Sequence, residues 1–147
     1  MIVLLPKGVT AVGDPILEIL KNNKNVAVVG ISAKPHRASN EIATYLKESG
    51  YRLIGVNPNE TSVLGEKCYA RLQDVPETVE IVDIFRKAED VAPVVDDAIE
   101  KGAKVIWMQL GIENRVAAEK ALAAGMTVVM DACMMVEHRK RLRQLPS

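Results

Sequence analysis

Apolar residues fall along this chain in two alternating rhythms. Short, nearly unbroken runs rich in β-branched residues occur at Val26-Ala27-Val28-Val29, Leu53-Ile54-Gly55-Val56, Ile81-Val82-Asp83-Ile84-Phe85, Val105-Ile106-Trp107-Met108 and Thr127-Val128-Val129-Met130. Between them apolar positions recur every three or four residues, the spacing of one helix face. One such stretch runs from about Ser39 to Ser49, with Ile42, Ala43, Tyr45 and Leu46 inward and Gly50 as its stop. A second is capped near Asp90 and carries Pro93 in its first turn, where a missing N–H does no harm. It stacks Val94, Val95, Ala98 and Ile99 inward and stops at Gly102. A third begins near Asn114, turns Ala117, Ala118, Ala121 and Leu122 inward and ends at Gly125. A basic helix from Met134 to Leu142 finishes the chain, and Leu17, Ile19 and Leu20 predict a lead-in helix within residues 1–24.

Strands that are apolar at every position, rather than at alternate ones, are buried on both faces and belong to a parallel sheet covered by helices. Right-handed crossovers then give an α/β fold with a doubly wound, mostly parallel sheet and helices on both faces. The stretch from Asn59 to Pro76 is too polar and irregular for a full helix. It reads as a loop with one short edge strand near Lys67-Cys68-Tyr69. Counting that strand predicts six, in the order 3-2-1-4-5-6. No repeat, low-complexity stretch or linker interrupts the pattern, so residues 1–147 read as one domain.

Composition narrows the partners. Apolar residues make up 48% of the chain and charged ones 26%, and the formal net charge is zero. No global field therefore draws it to nucleic acid or to an anionic membrane, and any anion must be held by local charges and backbone dipoles. Two cysteines, Cys68 and Cys133, with no CxxC pair, point to reduced thiols rather than a disulfide framework. The apolar opening Met1–Leu5 is ended by Pro6 and Lys7, lacks a basic leader and is too short to span a membrane. The expectation is a cytoplasmic protein, neither secreted nor membrane-inserted. Its apolar start packs on its own sheet or on a neighbouring subunit, which leaves a homo-oligomer open.

In open α/β sheets ligands bind beyond the carboxyl ends of the strands, where the strand order reverses. Here that point lies between the strand ending at Gly30 and the strand ending at Phe85. The segments at the strand ends are Gly30 to Arg37, Asn57-Pro58, Phe85-Arg86, Met108-Gln109-Leu110-Gly111 and Asp131-Ala132-Cys133. The first leads into a helix N-terminus, which favours an anion. It also brings Lys34, His36 and Arg37, enough positive charge for a diphosphate with a further phosphomonoester. In an arbitrary loop these three would read as solvated; this position reverses that reading. A dinucleotide fingerprint would require G-x-G-x-x-G and an acidic residue about twenty positions on. This loop has Ser32 at the second glycine and Pro35 with no third, and Val56-Asn57-Pro58 offers no carboxylate. An NAD(P)-binding oxidoreductase is thereby demoted to an alternative.

Six segments in register resemble the stand-alone CoA-binding protein family, which is similar to the N-terminal CoA-binding domain of the succinyl-CoA synthetase alpha subunit. They are Val29 to Pro35, Val56-Asn57-Pro58, Leu64 to Tyr69, Val82 to Arg86, Gly102 to Gly111 and Met130 to Met134. The resemblance implies a Rossmann-like domain holding coenzyme A, or an acyl-CoA, across its strand ends. Gly30, Ile31, Ser32, Ala33, Lys34 and Pro35 would then wrap the phosphates. Asn57 and Pro58 would line the adenine side, Phe85 and Arg86 would form the pocket floor, and Met108, Gln109 and Leu110 would run beside the pantetheine arm. Arg37 and Arg86 suit forked contacts to phosphate. The ligase has a second domain with a phosphorylated histidine, whereas His138 lies on the basic terminal helix in no matching position, so the synthetase reaction is not implied. A CoA-binding subunit of a multi-chain acyl-CoA enzyme stays open as a further alternative.

Catalytic candidates are few, and no chemistry of its own is expected. Asp131 reads as the cap of a helix beginning at Ala132, and Asp83 as a strand carboxylate hydrogen-bonded to backbone. Cys133 at a helix start reads as a buried inert thiol, although a mixed disulfide with CoA is conceivable there. Cys68, His36 and His138 lack metal-ligand spacing. The cluster Arg139, Lys140, Arg141 and Arg143 reads as a solvated helix end that suits the dipole.

Overall fold

The computed structural model describes residues 1–146, and Ser147 lies outside the described residues. Its principal sheet has six strands. In chain order these are β1 (Ile2–Leu4), β2 (Asn25–Val29), β3 (Arg52–Val56), β6 (Ile81–Ile84), β7 (Val105–Met108) and β8 (Thr127–Met130); the short strands β4 (Ser62–Val63) and β5 (Glu66–Lys67) form a separate hairpin. The spatial order is β1-β8-β7-β6-β2-β3, parallel throughout except for β1, which runs antiparallel to β8. The helices are α1 (Pro15–Asn22), α2 (Ala38–Glu48), α3 (Val91–Lys101), α4 (Arg115–Ala123) and α5 (Met134–Arg139). This is a Rossmann-like α/β arrangement.

Strand pleat divides the apolar residues into two cores, one on each side of the sheet. Ala27, Val29, Val82, Ile84, Ile106 and Met108 face α3 and α4. Val26, Val28, Ile81, Val105 and Trp107 face α1, α2 and α5. Successive crossovers therefore change sides between β2 and β6, as the sequence pattern predicts. Local chemistry sets the helix ends. Asp14 accepts the Ile16 N–H at 3.1 Å with Pro15 beside it, Asn114 accepts the Ala117 N–H at 3.0 Å, and Gly102 closes α3 in the left-handed conformation at φ 81°.

Two expectations need correcting. The sixth strand is β1, not the segment near Lys67-Cys68-Tyr69. That segment lies beside β3 as expected, but touches it through a single parallel bridge, Val56 to Tyr69. Lys67 instead pairs with Ser62 in the β4–β5 hairpin, and Leu72–Asp74 forms a 3-10 turn. Polar Glu66 and Lys67 have no apolar face to lay on the sheet, so only Cys68 tucks in, against Gly55. The terminal helix is also shorter than predicted, ending at Arg139, and its basic cluster is not uniformly solvated. Arg141 is folded back, 12% exposed, onto Asp14 at 2.6 Å and Glu137 at 2.9 Å, which ties the end of the chain to the start of α1. Glu137 and His138 are buried with it, and His138 Nδ1 lies 2.8 Å from the Tyr45 hydroxyl. Among the described residues no helix is long and apolar enough to cross a membrane.

Candidate functional site

The loop between β2 and α2 forms one wall of a cleft of about 320 Å³ at the carboxyl ends of β2 and β6, lined by Gly30, Ser32, Lys34, Arg37, Ser39 and Phe85. Gly30 makes the closest approach. It has φ 90°, and a Cβ there would stand 2.3 Å from the Phe85 carbonyl oxygen and 3.5 Å from Arg86 Nε. Only glycine fits this turn, because the Phe85 carbonyl oxygen occupies the place of a Cβ, and the Arg86 side chain lies beside it.

Beyond Gly30 the loop is held by its own polar groups. Ile31 turns its side chain into the core at 2% exposure. Ser39 Oγ accepts the Ser32 N–H at 2.9 Å, Asn40 Nδ2 donates to Ser32 O at 2.9 Å, and Ser32 Oγ accepts the Lys34 N–H at 3.1 Å. Ala33, Lys34, Pro35, His36 and Arg37 are left exposed. Arg37 is the N-cap of α2 and gives no side-chain cap. Asn40 N–H donates to Arg37 O at 3.1 Å, but the Ala38 and Ser39 amides have no intrahelical partner, and both residues line the same cleft. Free amides, the positive helix end and two cations meet in one concave place, which suits an anion.

Residues 24–139 match the family described as CoA binding domain. The chain belongs to that family. An uncharacterized protein of Bacillus subtilis (strain 168), YneT, is 37% identical over 123 residues, covering 84% of this chain and 91% of YneT. A hypothetical protein from Pyrococcus horikoshii OT3 of solved structure is 46% identical, with a TM-score of 0.85, covering 86% of this chain and 89% of that one. The ADP-forming acetate–CoA ligase II of Archaeoglobus fulgidus is 34% identical over 92 residues, but those cover 61% of this chain and only 14% of the ligase.

Within this CoA-binding domain the remaining predicted residues divide by what their side chains are doing. Asn57 is committed to the protein: its Nδ2 donates to Ile31 O at 2.8 Å and its Oδ1 accepts the Asn59 N–H at 2.9 Å. It positions the first loop, while Pro58 beside it is exposed. Phe85 and Arg86 are half-buried; Phe85 lines the cleft, and Arg86 lies beside Gly30 without lining it. Met108 has no exposure and packs with α3 and α4, so its side chain serves the core. Gln109 is buried and its Oε1 accepts the Met134 N–H at 3.2 Å, whereas Leu110 stands 69% exposed.

Gln109 thus does for α5 what was expected of Asp131. The helix starts at Met134 with Cys133 as N-cap, and the left-handed backbone of Asp131, φ 56°, turns its carboxylate away. Asp131 Oδ1 accepts the Gly111 N–H at 2.7 Å instead, bracing the loop after β7 against the end of β8. The expectation for Asp83 fails too. It is fully buried, opposite Val28 and Trp107, and neither carboxylate oxygen has a hydrogen-bond partner. Burial holds its pKa well above the usual carboxylate range, so it sits in the core as a neutral acid. Being two positions before Phe85 on one strand face, it lies under the cleft floor and not in the cleft. The two carboxyls do not form a paired acid–base site at the crevice.

Cys133 is free and half-buried. Cys68 is buried, its thiol pushed up by desolvation. Among the described residues no three His, Cys, Asp or Glu side chains converge on a metal-sized site. A larger cleft, about 710 Å³, opens at the opposite ends of the strands between the Pro6–Val12 segment and α1. It is away from the sheet reversal and lacks the first loop's donors.

Sequence reasoning missed Ser39, Asn40 and Glu60, whose carboxylate accepts the Ala33 N–H at 2.5 Å. Ser39 was findable, since it occupies the inward slot of α2 three residues before Ile42. Glu60 was not, because the turn after β3 that brings it onto the Ala33 amide is fixed by tertiary contact.

Proposed function

We propose that this protein binds coenzyme A, free or acylated, in the crevice between the ends of β2 and β6, without catalysis of its own. The observation that carries the reading is the uncapped N-terminus of α2 opening into a cleft with Lys34 and Arg37, in a chain of the CoA binding domain family. In this reading the diphosphate lies on the loop from Gly30 to Pro35 and the open amides of Ala38 and Ser39. Arg37 and Arg86 reach phosphate oxygens as forked donors. The uncharged arm follows Phe85 towards Leu110, whose exposed side chain has no packing partner to lose. Asn57 and Gln109 act as positioning residues, since their amides brace the first loop and α5. The function is that of a carrier, sensor or regulator, and a cytoplasmic location fits a ligand of that compartment.

The test is calorimetric titration of the pure protein with CoA, dephospho-CoA and NAD. CoA binds tightest, and loss of the 3′-phosphate weakens binding through Lys34 or Arg37. Tighter NAD than CoA overturns the choice of ligand; equal affinity for CoA and dephospho-CoA removes both cations from that phosphate.

A further inference from the structure

The amides of the first loop differ in the kind of partner they have. Gly30 N–H donates to Val56 O at 2.8 Å, Ser32 to Ser39 Oγ at 2.9 Å, Lys34 to Ser32 Oγ at 3.1 Å and Arg37 to Lys34 O at 3.1 Å. All four acceptors are neutral and are held by regular structure or by the loop itself. Ala33 N–H alone goes to an ionisable group, the Glu60 carboxylate, supplied by a different loop. That loop holds Glu60 at the end of a tight turn in which Glu60 N–H donates to Asn57 O at 3.2 Å and Asn57 Oδ1 accepts the Asn59 N–H. Among the described residues no ion pair within 4.0 Å ties the Glu60 carboxylate to a basic side chain. An amide that recruits a carboxylate oxygen recruits a phosphate oxygen by the same charge-assisted bond.

We propose that Glu60 sets the anion selectivity at the rim of this crevice, where Ala33 lies between the lining residues Ser32 and Lys34, its carboxylate standing on the Ala33 amide as an internal anion that an incoming phosphate must displace or face. The inference rests on the reading of the crevice as a CoA site. It gives Glu60 a cost that scales with ligand charge. A ligand phosphate that takes the Ala33 N–H leaves Glu60 without its donor, and one that binds beside it meets an uncompensated like charge. Either way the penalty grows from uncharged fragments to dephospho-CoA to CoA, so the crevice is tuned away from indiscriminate polyanion binding.

The experiment compares wild type with Glu60→Gln and Glu60→Ala, titrated with CoA, dephospho-CoA and pantetheine at low and high salt, with thermal melts to confirm folding. Gln keeps an acceptor for Ala33 and removes only the charge. The expected result for Glu60→Gln is CoA binding tightened about three- to tenfold at low salt, a smaller gain for dephospho-CoA and none for pantetheine. The gain shrinks at high salt as the charges are screened. If Glu60 is only a staple between two loops, Glu60→Gln leaves every affinity unchanged and Glu60→Ala weakens all three ligands alike; that pattern overturns the proposal. A wild type that binds CoA while Glu60→Gln binds it no tighter refutes the role of Glu60 alone. A wild type that does not bind CoA refutes the site reading and this inference with it.

Discussion

Replacing Gly30 by alanine tests the joint between the ends of β2 and β6, on which the crevice depends. The added methyl meets two separate penalties. At φ 90° an L-residue is strained, and its Cβ would stand 2.3 Å from the Phe85 carbonyl oxygen, a backbone atom that cannot rotate aside. The backbone strain costs about 1–3 kcal/mol and the overpacking about 1–3 kcal/mol, so Gly30→Ala should lose about 2–6 kcal/mol. Gly102→Ala separates the two, because Gly102 has φ 81° but nothing within 4 Å of its missing Cβ. It should lose only the strain, about 1–3 kcal/mol. Urea unfolding followed by far-UV circular dichroism gives both values. For a chain of this size the Gly30 variant should also melt about 4–24 °C lower, at about 2–4 °C per kcal/mol. Because the shift falls on Phe85 and the loop together, CoA binding should weaken as well. A Gly30→Ala variant no less stable than Gly102→Ala would show that the two strand ends do not approach as described.

Further outcomes follow from the buried titratable groups and the ion pairs. The Asp83 carboxyl is protonated in the native state and ionised in the unfolded chain above about pH 4, so stability falls as pH rises from there through its raised native pKa, by up to about 1.4 kcal/mol per pH unit. Asp83→Asn should flatten that slope and raise stability at neutral pH; urea midpoints measured across the range show it, and parallel curves would contradict it. His138 works in the opposite sense. Burial lowers its pKa, so its contribution is complete above about pH 6.5 and is lost as the pH falls, and His138→Gln should flatten the acid side of the same curve. Arg141→Met strands Asp14 and Glu137 and should cost about 1–3 kcal/mol, read by thermal unfolding; an unchanged melting temperature would show that the chain end is not anchored there. Arg86→Ala should weaken CoA binding by about 1–3 kcal/mol, and an unchanged dissociation constant removes Arg86 from the site.

The layered fold was legible because its signals are local. Continuous apolar runs require burial on both faces, and Gly50, Gly102 and Gly125 follow the helices that they close. The place of the crevice followed from connectivity, since the change of side between β2 and β6 is implied by which runs are neighbours. What escaped was set by tertiary contact. Ile2–Leu4 gave an apolar signal too short to distinguish an antiparallel edge strand from a subunit contact. Asp131 has the residue type of a helix cap, but its left-handed backbone aims it at Gly111, and no local rule reports that turn. Asn57 and Gln109 sit where ligand contacts were expected, yet their amides are spent on loop and helix bracing. Sequence shows which residues reach the strand ends; it does not show which of their hydrogen bonds are already taken.

Backbone amide NMR of the protein titrated with CoA addresses the occupied crevice most directly. The account predicts that shifts concentrate on residues 30–39, 85–86 and 109–111 and spare the Pro6–Val12 segment at the far end of the sheet. Shifts centred on that segment, or none at saturating CoA, would contradict it.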